Sequence, residues 1–227
     1  MWYISYGDKM IEILKYISSG LIIISLICYL LNILINKSKK ISDDDGFNIT
    51  KDIIQEYDMI NIIENTGIIS YYNLRRGVIK LSSKSYYGSD LSHISIGLME
   101  AGVSVIDKKG NKFIDIFKKI VSNLKILYIF PIITVIVNFI TYTKGDAKIG
   151  LILVIISTLV IYMINSILIN ANDWVCNNIK KVKSVDNDGK DKIISYLNNI
   201  VNLNKIIFLG ELISIITMVA IFIDFKL

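Results

Sequence analysis

The run I-G-L-I-L-V-I-I-S-T-L-V-I-Y-M-I-N-S-I-L-I-N-A-N, Ile149 to Asn172, holds 24 residues without a formal charge. At about 1.5 Å of rise per residue, a helix of that length reaches about 36 Å, more than the roughly 30 Å of a bilayer's hydrocarbon core. The run predicts a transmembrane helix, and reading outward from it finds three more. Before it stands Ile126–Thr143, 18 uncharged residues that include Pro131, the single proline of the chain. A proline one turn inside a membrane helix kinks it or marks its first turn. Lys144, Gly145, Asp146 and Lys148 make a tight connection, so the two runs predict a transmembrane hairpin. Further upstream, Tyr16–Ile35 is a 20-residue uncharged run. It ends in N-K-S-K-K rather than at a small-residue cleavage site and reads as a retained first transmembrane helix. The last run, Ile206–Ile223, has 18 residues and carries Glu211 six residues in. A carboxylate near one interface is the favoured expectation for Glu211, and a buried partner within the bundle is the alternative.

Composition agrees with membrane residence. The chain has 227 residues, is 53% hydrophobic and has a mean hydropathy of +0.54, too apolar for a soluble protein of this size. The lipid bilayer is thus the first partner implied. The net charge of +5 comes from cations interspersed with Asp and Glu, which gives nucleic-acid binding no support. Orientation follows from the cations: 14 Lys and Arg lie in residues 36–125 and six in 173–205, against Lys9, Lys15, Lys144, Lys148 and Lys226 elsewhere. The positive-inside rule then places both large polar segments in the cytoplasm and both termini outside.

The polar segments have their own pattern. Ser38–Gly46 is a break, after which Thr50 is expected to cap a helix through Asp52, Ile53, Ile54 and Tyr57. Brief strands are expected at 60–63, 68–72 and 78–82, around turns at Asn65–Gly67 and Asn73–Gly77. From Asp90 the apolar residues Leu91, Ile94, Leu98 and Val105 recur near one helical face, with an end at Lys108–Gly110 and a second helix at Asn111–Asn123. A separate amphipathic helix is expected at Ile193–Val201. The expected fold class is a mainly α membrane protein of about four transmembrane helices, with a small α+β cytoplasmic segment inserted after the first. Its parts are residues 1–35 (N-terminal segment and first helix), 36–125 (cytoplasmic α+β segment), 126–172 (hairpin), 173–205 (cytoplasmic polar segment) and 206–227 (last helix and tail).

Residue counts restrict the chemistry. His93 is the single histidine, and Cys28 and Cys176 are the two cysteines, expected as free thiols. No His₂, His₃, Cys₄ or Cys₃His zinc set can be assembled within one chain. A carboxylate-rich site for Mg²⁺ or Ca²⁺ is left open.

Within the expected helix, Ser92–Asp107 reads S-H-I-S-I-G-L-M-E-A-G-V-S-V-I-D, with M-E-A-G-V at Met99–Val103. In zinc peptidases such a window reads H-E-x-x-H: histidines at i and i+4 hold the metal and the glutamate activates water. Here both histidine positions are apolar. The order of parts resembles the YugP-like neutral zinc metallopeptidases of bacterial membranes. That family's A-A-H-E-V-G-H-A-I-Q helix corresponds to G-L-M-E-A-G-V-S-V-I, Gly97–Ile106. Its Y-D-P-R-x-x-V-L-R-L-S strand corresponds to Y-N-L-R-R-G-V-I-K-L-S, Tyr72–Ser82, and its Y-x-G-x-S-like link to Ser85–Asp90. The resemblance implies Glu100 at a vestigial general-base position and Met99 and Val103 at lost ligand positions. It puts the distal acidic ligand, in an E-F-D-A-S-like motif, near Leu168, with Asn170–Asn172 after it and Asp173 as a displaced carboxylate.

A valine has no donor atom and a thioether is a poor zinc ligand. Without a metal, Glu100 faces water of pKa about 15.7. No metal and no cofactor are therefore expected. His93 lies six residues before Met99, about 120° away around a helix at roughly 100° per residue, and reads as a polar-face or hydrogen-bonded histidine. Glu100 is expected to pair with a lysine such as Lys108 or with backbone groups. The resulting expectation is an inactive pseudopeptidase with a binding or regulatory role toward an active paralogue, a client membrane protein or itself. The alternatives are an active membrane zinc metallopeptidase with ligands drawn from Glu100, His93 and Asp173, and, with less support, a small transporter built on Glu211.

Overall fold

The structure is a computed structural model and describes residues 6–36, 40–57, 60–141 and 144–224. Its elements in order are α1 (Tyr6–Asn36), α2 (Gly46–Ile53), β1 (Asn61–Asn65), β2 (Tyr71–Asn73), β3 (Val78–Ser82), α3 (Ser83–Tyr87), α4 (Leu91–Lys108), α5 (Lys112–Ile120), a 3₁₀ turn at Leu124–Tyr128, α6 (Ile129–Ile140), α7 (Lys144–Asn178), a 3₁₀ turn at Ile179–Lys181, and α8 (Asn187–Asp224). The chain divides into two compact units. The first takes the residues up to Cys28, Leu127–Met163 and those from Leu203; the second takes Tyr29–Ile126 and Ile164–Asn202. Ser38 and Lys39 of the expected polar break, and Tyr142 and Thr143 at the end of the expected hairpin's first run, lie outside the described residues.

The first unit is built from apolar helix. Among the described residues three stretches, Lys9–Asn32, Asp146–Lys181 and Asn187–Ile223, each contributing a part to this unit, are long and apolar enough to cross a membrane, and a fourth is added if α5 and α6 with its leading turn count as one broken span. The helices keep Ile24, Ile132, Ile136, Ile152, Leu159 and Ile216 exposed. An outer surface of isoleucine and leucine suits lipid contact. Inside, Val137, Ala147, Val154, Met218 and Ile221 pack with Ile11, Ile133, Leu151 and Ile215. Close approach and internal hydrogen bonds, the contacts that hold helices together where no hydrophobic drive acts between them, are both present. Gly150 lets α7 come against Val137 and Thr141, and Gly210 lets α8 come against Ile22 and the Ser18 carbonyl. The Asn138 amide nitrogen donates within 2.9–3.1 Å of the hydroxyls of Ser18, Ser19 and Ser214.

Two expectations for these helices change. α6 covers 12 residues, shorter than the 18-residue run, because the preceding residues wind as the 3₁₀ turn. Pro131 then sits in the first turn, where its missing N–H has no intrahelical acceptor to lose. The helix expected at Ile193–Val201 and the run Ile206–Ile223 form one helix of 38 residues, α8. Between them stand Asn202, Leu203, Asn204 and Lys205, none of which removes a donor or clashes with the preceding turn as proline would, and Lys205 stays exposed.

The second unit is organised around α4. Fourteen of its 18 residues are buried, the mark of a helix surrounded on all sides. Asp90 fixes its start by accepting from the His93 backbone N–H at 3.1 Å and from Ser92 Oγ at 2.9 Å. Two glycines set its neighbours' distance. A Cβ on Gly97 would stand 2.6 Å from Thr50 Oγ1, and one on Gly102 would stand 2.7 Å from the Ala171 carbonyl oxygen. α2 and α7 therefore approach α4 at backbone range.

The expected cap at Thr50 is corrected by the same contact. Asp45 caps α2, accepting from the Asn48 N–H at 2.8 Å, while Thr50 is fully buried within it. The helix also stops at Ile53, and Tyr57 packs edge-on against Trp174 at 6.0 Å. The three strands form one sheet in the order β1-β3-β2, with β1 parallel and β2 antiparallel to β3. Gly77, at φ +65, closes the β2–β3 turn in the left-handed region that glycine adopts without strain. Ile68 and Ile69, expected in a strand, lie outside β2 and are exposed. The second expected helix shortens to Lys112–Ile120, with Asn111 as its cap, accepting from the N–H groups of Phe113 and Ile114.

Candidate functional site

α4 carries the three residues of interest on adjacent turns. Met99 is 6% exposed, Glu100 7% and Val103 2%. Apolar side chains bury readily, but a carboxylate at this depth must be paired and hydrogen-bonded. Glu100 meets both conditions. Its Oε1 lies 2.7 Å from Lys125 Nζ, and its Oε2 accepts the Tyr72 backbone N–H at 2.8 Å. Tyr72 is on β2, an edge strand, and its N–H would otherwise be an orphan donor in a buried place. The Lys125 ammonium also donates to the Ser70 carbonyl.

Seven residues on, and so on nearly the same face of α4, Asp107 repeats the pattern. Its Oδ2 accepts from the Tyr72 hydroxyl at 2.7 Å, and Lys118 pairs with its Oδ1. Tyr72 thus joins both carboxylates, one through its backbone and one through its phenol. Burial, and after it the hydrogen bond to Asp107 and that group's negative charge, pushes the phenol's pKa well above its ordinary value. Each of the two carboxylates is matched by one lysine, and Lys118 also lies 3.9 Å from Asp115 Oδ1 on α5.

The remaining expected residues do not join it. His93 Nδ1 lies 2.5 Å from Asp90 Oδ2 at the start of α4, which agrees with a hydrogen-bonded histidine. On α7, Leu168 is half-buried and Asp173 is exposed. Glu100, His93 and Asp173 are not brought together, and among the described residues no group of three or more His, Cys, Asp or Glu is placed to hold a metal ion. The Gly102–Ala171 contact does bring the N-A-N stretch of α7 against the helix that carries Met99 and Val103.

Lys108, the expected partner of Glu100, is exposed and the partner is Lys125. Eight positions along a helix amount to about 12 Å, beyond the reach of a direct pair. Lys125 comes from beyond α5, and no local spacing rule could have found it. The second part of that expectation, a backbone partner, is met by Tyr72.

In the first unit, Glu211 is fully buried. It accepts from Thr134 Oγ1 and Ser157 Oγ, both at 2.8 Å. The favoured expectation of an interfacial carboxylate is corrected to a buried partner joining α6, α7 and α8. Its position in the sequence suggested a helix end, but α8 continues 24 residues upstream of it. Both cysteines are free, Cys28 exposed and Cys176 partly buried.

A sequence-family model described as "Putative neutral zinc metallopeptidase" matches residues 14–222. No curated protein and no solved structure matches the chain.

Proposed function

Because the chain belongs to this family of neutral zinc metallopeptidases, we propose that it retains the family's frame without the metal chemistry and acts by binding. In this reading Met99–Val103 is a degenerate H-E-x-x-H window, Glu100 is a vestigial general base, and Met99, Val103 and Leu168 stand at the lost ligand positions. The observation that carries it is the Glu100 carboxylate, with one oxygen on the Lys125 ammonium and the other on the Tyr72 N–H. A general base must have a lone pair facing the water it deprotonates. Here the group is committed to a charge pair within the fold.

The donor set does not fit zinc. Met99 offers a thioether, Val103 and Leu168 offer no donor atom, and both turns of the window are buried. A binding role is the remaining use of such a frame: toward an active paralogue, a client membrane protein or another copy of itself. Three long apolar helices support a multi-pass arrangement, to which Leu124–Ile140 adds the fourth span of this reading, and the cation distribution supports polar segments in the cytoplasm with both termini outside.

Restoring the histidines tests this reading. The parent protein, purified in detergent, is expected to carry no stoichiometric zinc, whereas Met99→His with Val103→His is expected to gain zinc measurable by metal analysis. Zinc near one per chain in the parent, with proteolysis lost on Glu100→Gln, would sink the proposal. No uptake by the double variant would count against the ligand positions assigned to the window.

A further inference from the structure

α5 and the loop before β2 leave unusual side chains in solvent. At roughly 100° per residue, Ile116 and Ile120 lie about 40° apart on α5, and they are 44% and 64% exposed. The buried face of that helix is Ile114 and Phe117, so the exposed isoleucines form a second apolar stripe. Lys112 and Lys119, both exposed, border it on the side away from the core.

β2 is fastened alongside at both its ends, the β2–β3 turn to α5 and the residues after it, and the loop before β2 to Lys125. The Leu74 N–H donates to the Ser122 carbonyl at 3.0 Å, Arg75 donates to the carbonyls of Lys118 and Ile120, and the Lys125 ammonium donates to the Ser70 carbonyl. Just ahead of Ser70, the chain presents Ile68 at 94% exposure and Ile69 at 55%. The segment joining α5 to the apolar helices carries Ile126, also more than half exposed. Single exposed isoleucines need no explanation, but a set gathered on two segments joined by hydrogen bonds and rimmed by cations does.

Chain connectivity indicates what covers it. The apolar stretch that continues into α6 starts at Leu124, four residues after α5 ends, a distance of at most about 14 Å of extended chain. An amphipathic helix with isoleucines on one face and lysines at its border, leading directly into a spanning segment, has the pattern of a helix lying in the headgroup region. Lys112, Lys119, Arg75 and Arg76 are exposed there, with Asp115 as the opposing charge on α5. That balance suits anionic headgroups.

The geometry points to α5 and the Ile68–Ile69 loop as a membrane-surface contact, with the isoleucines in the acyl boundary and the four cations on anionic lipid phosphates. The inference rests on the reading of α6 as entering a bilayer, and the test separates the two. Full-length protein with Cys28→Ser and Cys176→Ser would carry a single cysteine at Ile116, Ile120, Asp115 or Ile132, bearing an environment-sensitive fluorophore. It would be reconstituted in phosphatidylcholine vesicles with and without phosphatidylglycerol.

Lipid carrying a spin label near the headgroup is expected to quench the probe at 116 and 120 several-fold more than at 115. Aqueous iodide is expected to do the reverse. Deep-labelled lipid is expected to quench position 132. Iodide quenching at 116 and 120 equal to that at 115, with 132 still lipid-quenched, would overturn the surface contact alone. Loss of lipid quenching at 132 would overturn the membrane reading itself. Disulfides between copies of the unlabelled 120 variant on mild oxidation, with no lipid quenching of its labelled counterpart, would assign the face to self-association and overturn the proposal. Lys112→Gln with Lys119→Gln is expected to lower quenching at 120 only where phosphatidylglycerol is present, and equal loss in both vesicles would overturn the role given to the cations.

Discussion

Lys125→Met isolates what holds the centre of the polar unit. The substitution keeps an unbranched side chain of similar length and removes the ammonium that lies 2.7 Å from Glu100 Oε1. Glu100 is then a 7% exposed carboxylate with one hydrogen bond, from Tyr72. Removing one partner of a buried ion pair costs about 3–5 kcal/mol, most of it the penalty of the charge left behind. The Lys125 side chain is 29% exposed, so water already screens the pair and a loss of about 2–3 kcal/mol is the expected magnitude.

The reverse deletion is not symmetric. Glu100→Gln keeps an acceptor for the Tyr72 N–H and releases a flexible lysine that can reach solvent, so it is expected to cost about 1 kcal/mol. The double substitution removes both charges and is expected to cost less than the sum of the single ones. Unfolding would be followed in detergent by the fluorescence of Trp174, buried in the same unit. If Glu100→Gln destabilises as much as Lys125→Met, or if the two effects add, the pair does not hold the unit in the way described.

Three further outcomes follow from the geometry. Gly102→Val places a branched side chain 2.7 Å from the Ala171 carbonyl, which is backbone and cannot swing away; it is expected to cost about 1–3 kcal/mol, read as a lower thermal midpoint, and a midpoint equal to the parent's would show that α4 and α7 are not held at that distance. Tyr72→Phe removes the donor to Asp107 and is expected to cost about 1 kcal/mol near neutral pH. Burial raises the Tyr72 phenol's pKa above its ordinary 10.0, so its contribution is full below pH 10 and is lost as pH rises through the folded value; the alkaline fall in stability should be shallower in Tyr72→Phe. Glu211→Leu leaves Thr134 and Ser157 free to turn back to their own helix carbonyls, so a loss of only about 1 kcal/mol is expected in denaturant titrations, and a loss above about 3 kcal/mol would show that the hydroxyls have no such alternative.

The sequence by itself determined the apolar runs, the start of α4 at Asp90 and its end near Lys108, because a 20-residue uncharged stretch and an apolar repeat near one helical face are local signals. The expectation that Met99 and Val103 stand at lost ligand positions is likewise local, since it depends only on spacing within one helix. Only the tertiary structure decided which groups answer Glu100, because Tyr72 and Lys125 lie 28 and 25 positions away and their proximity is a matter of packing. The same holds for Glu211, whose depth was set by the other helices rather than by its place in a run, and for Thr50, whose hydroxyl was drawn inside by the close approach that Gly97 allows. Local rules read a side chain against its own helix. A buried charge is fixed by partners that other segments bring to it, and no period or spacing in the chain records them.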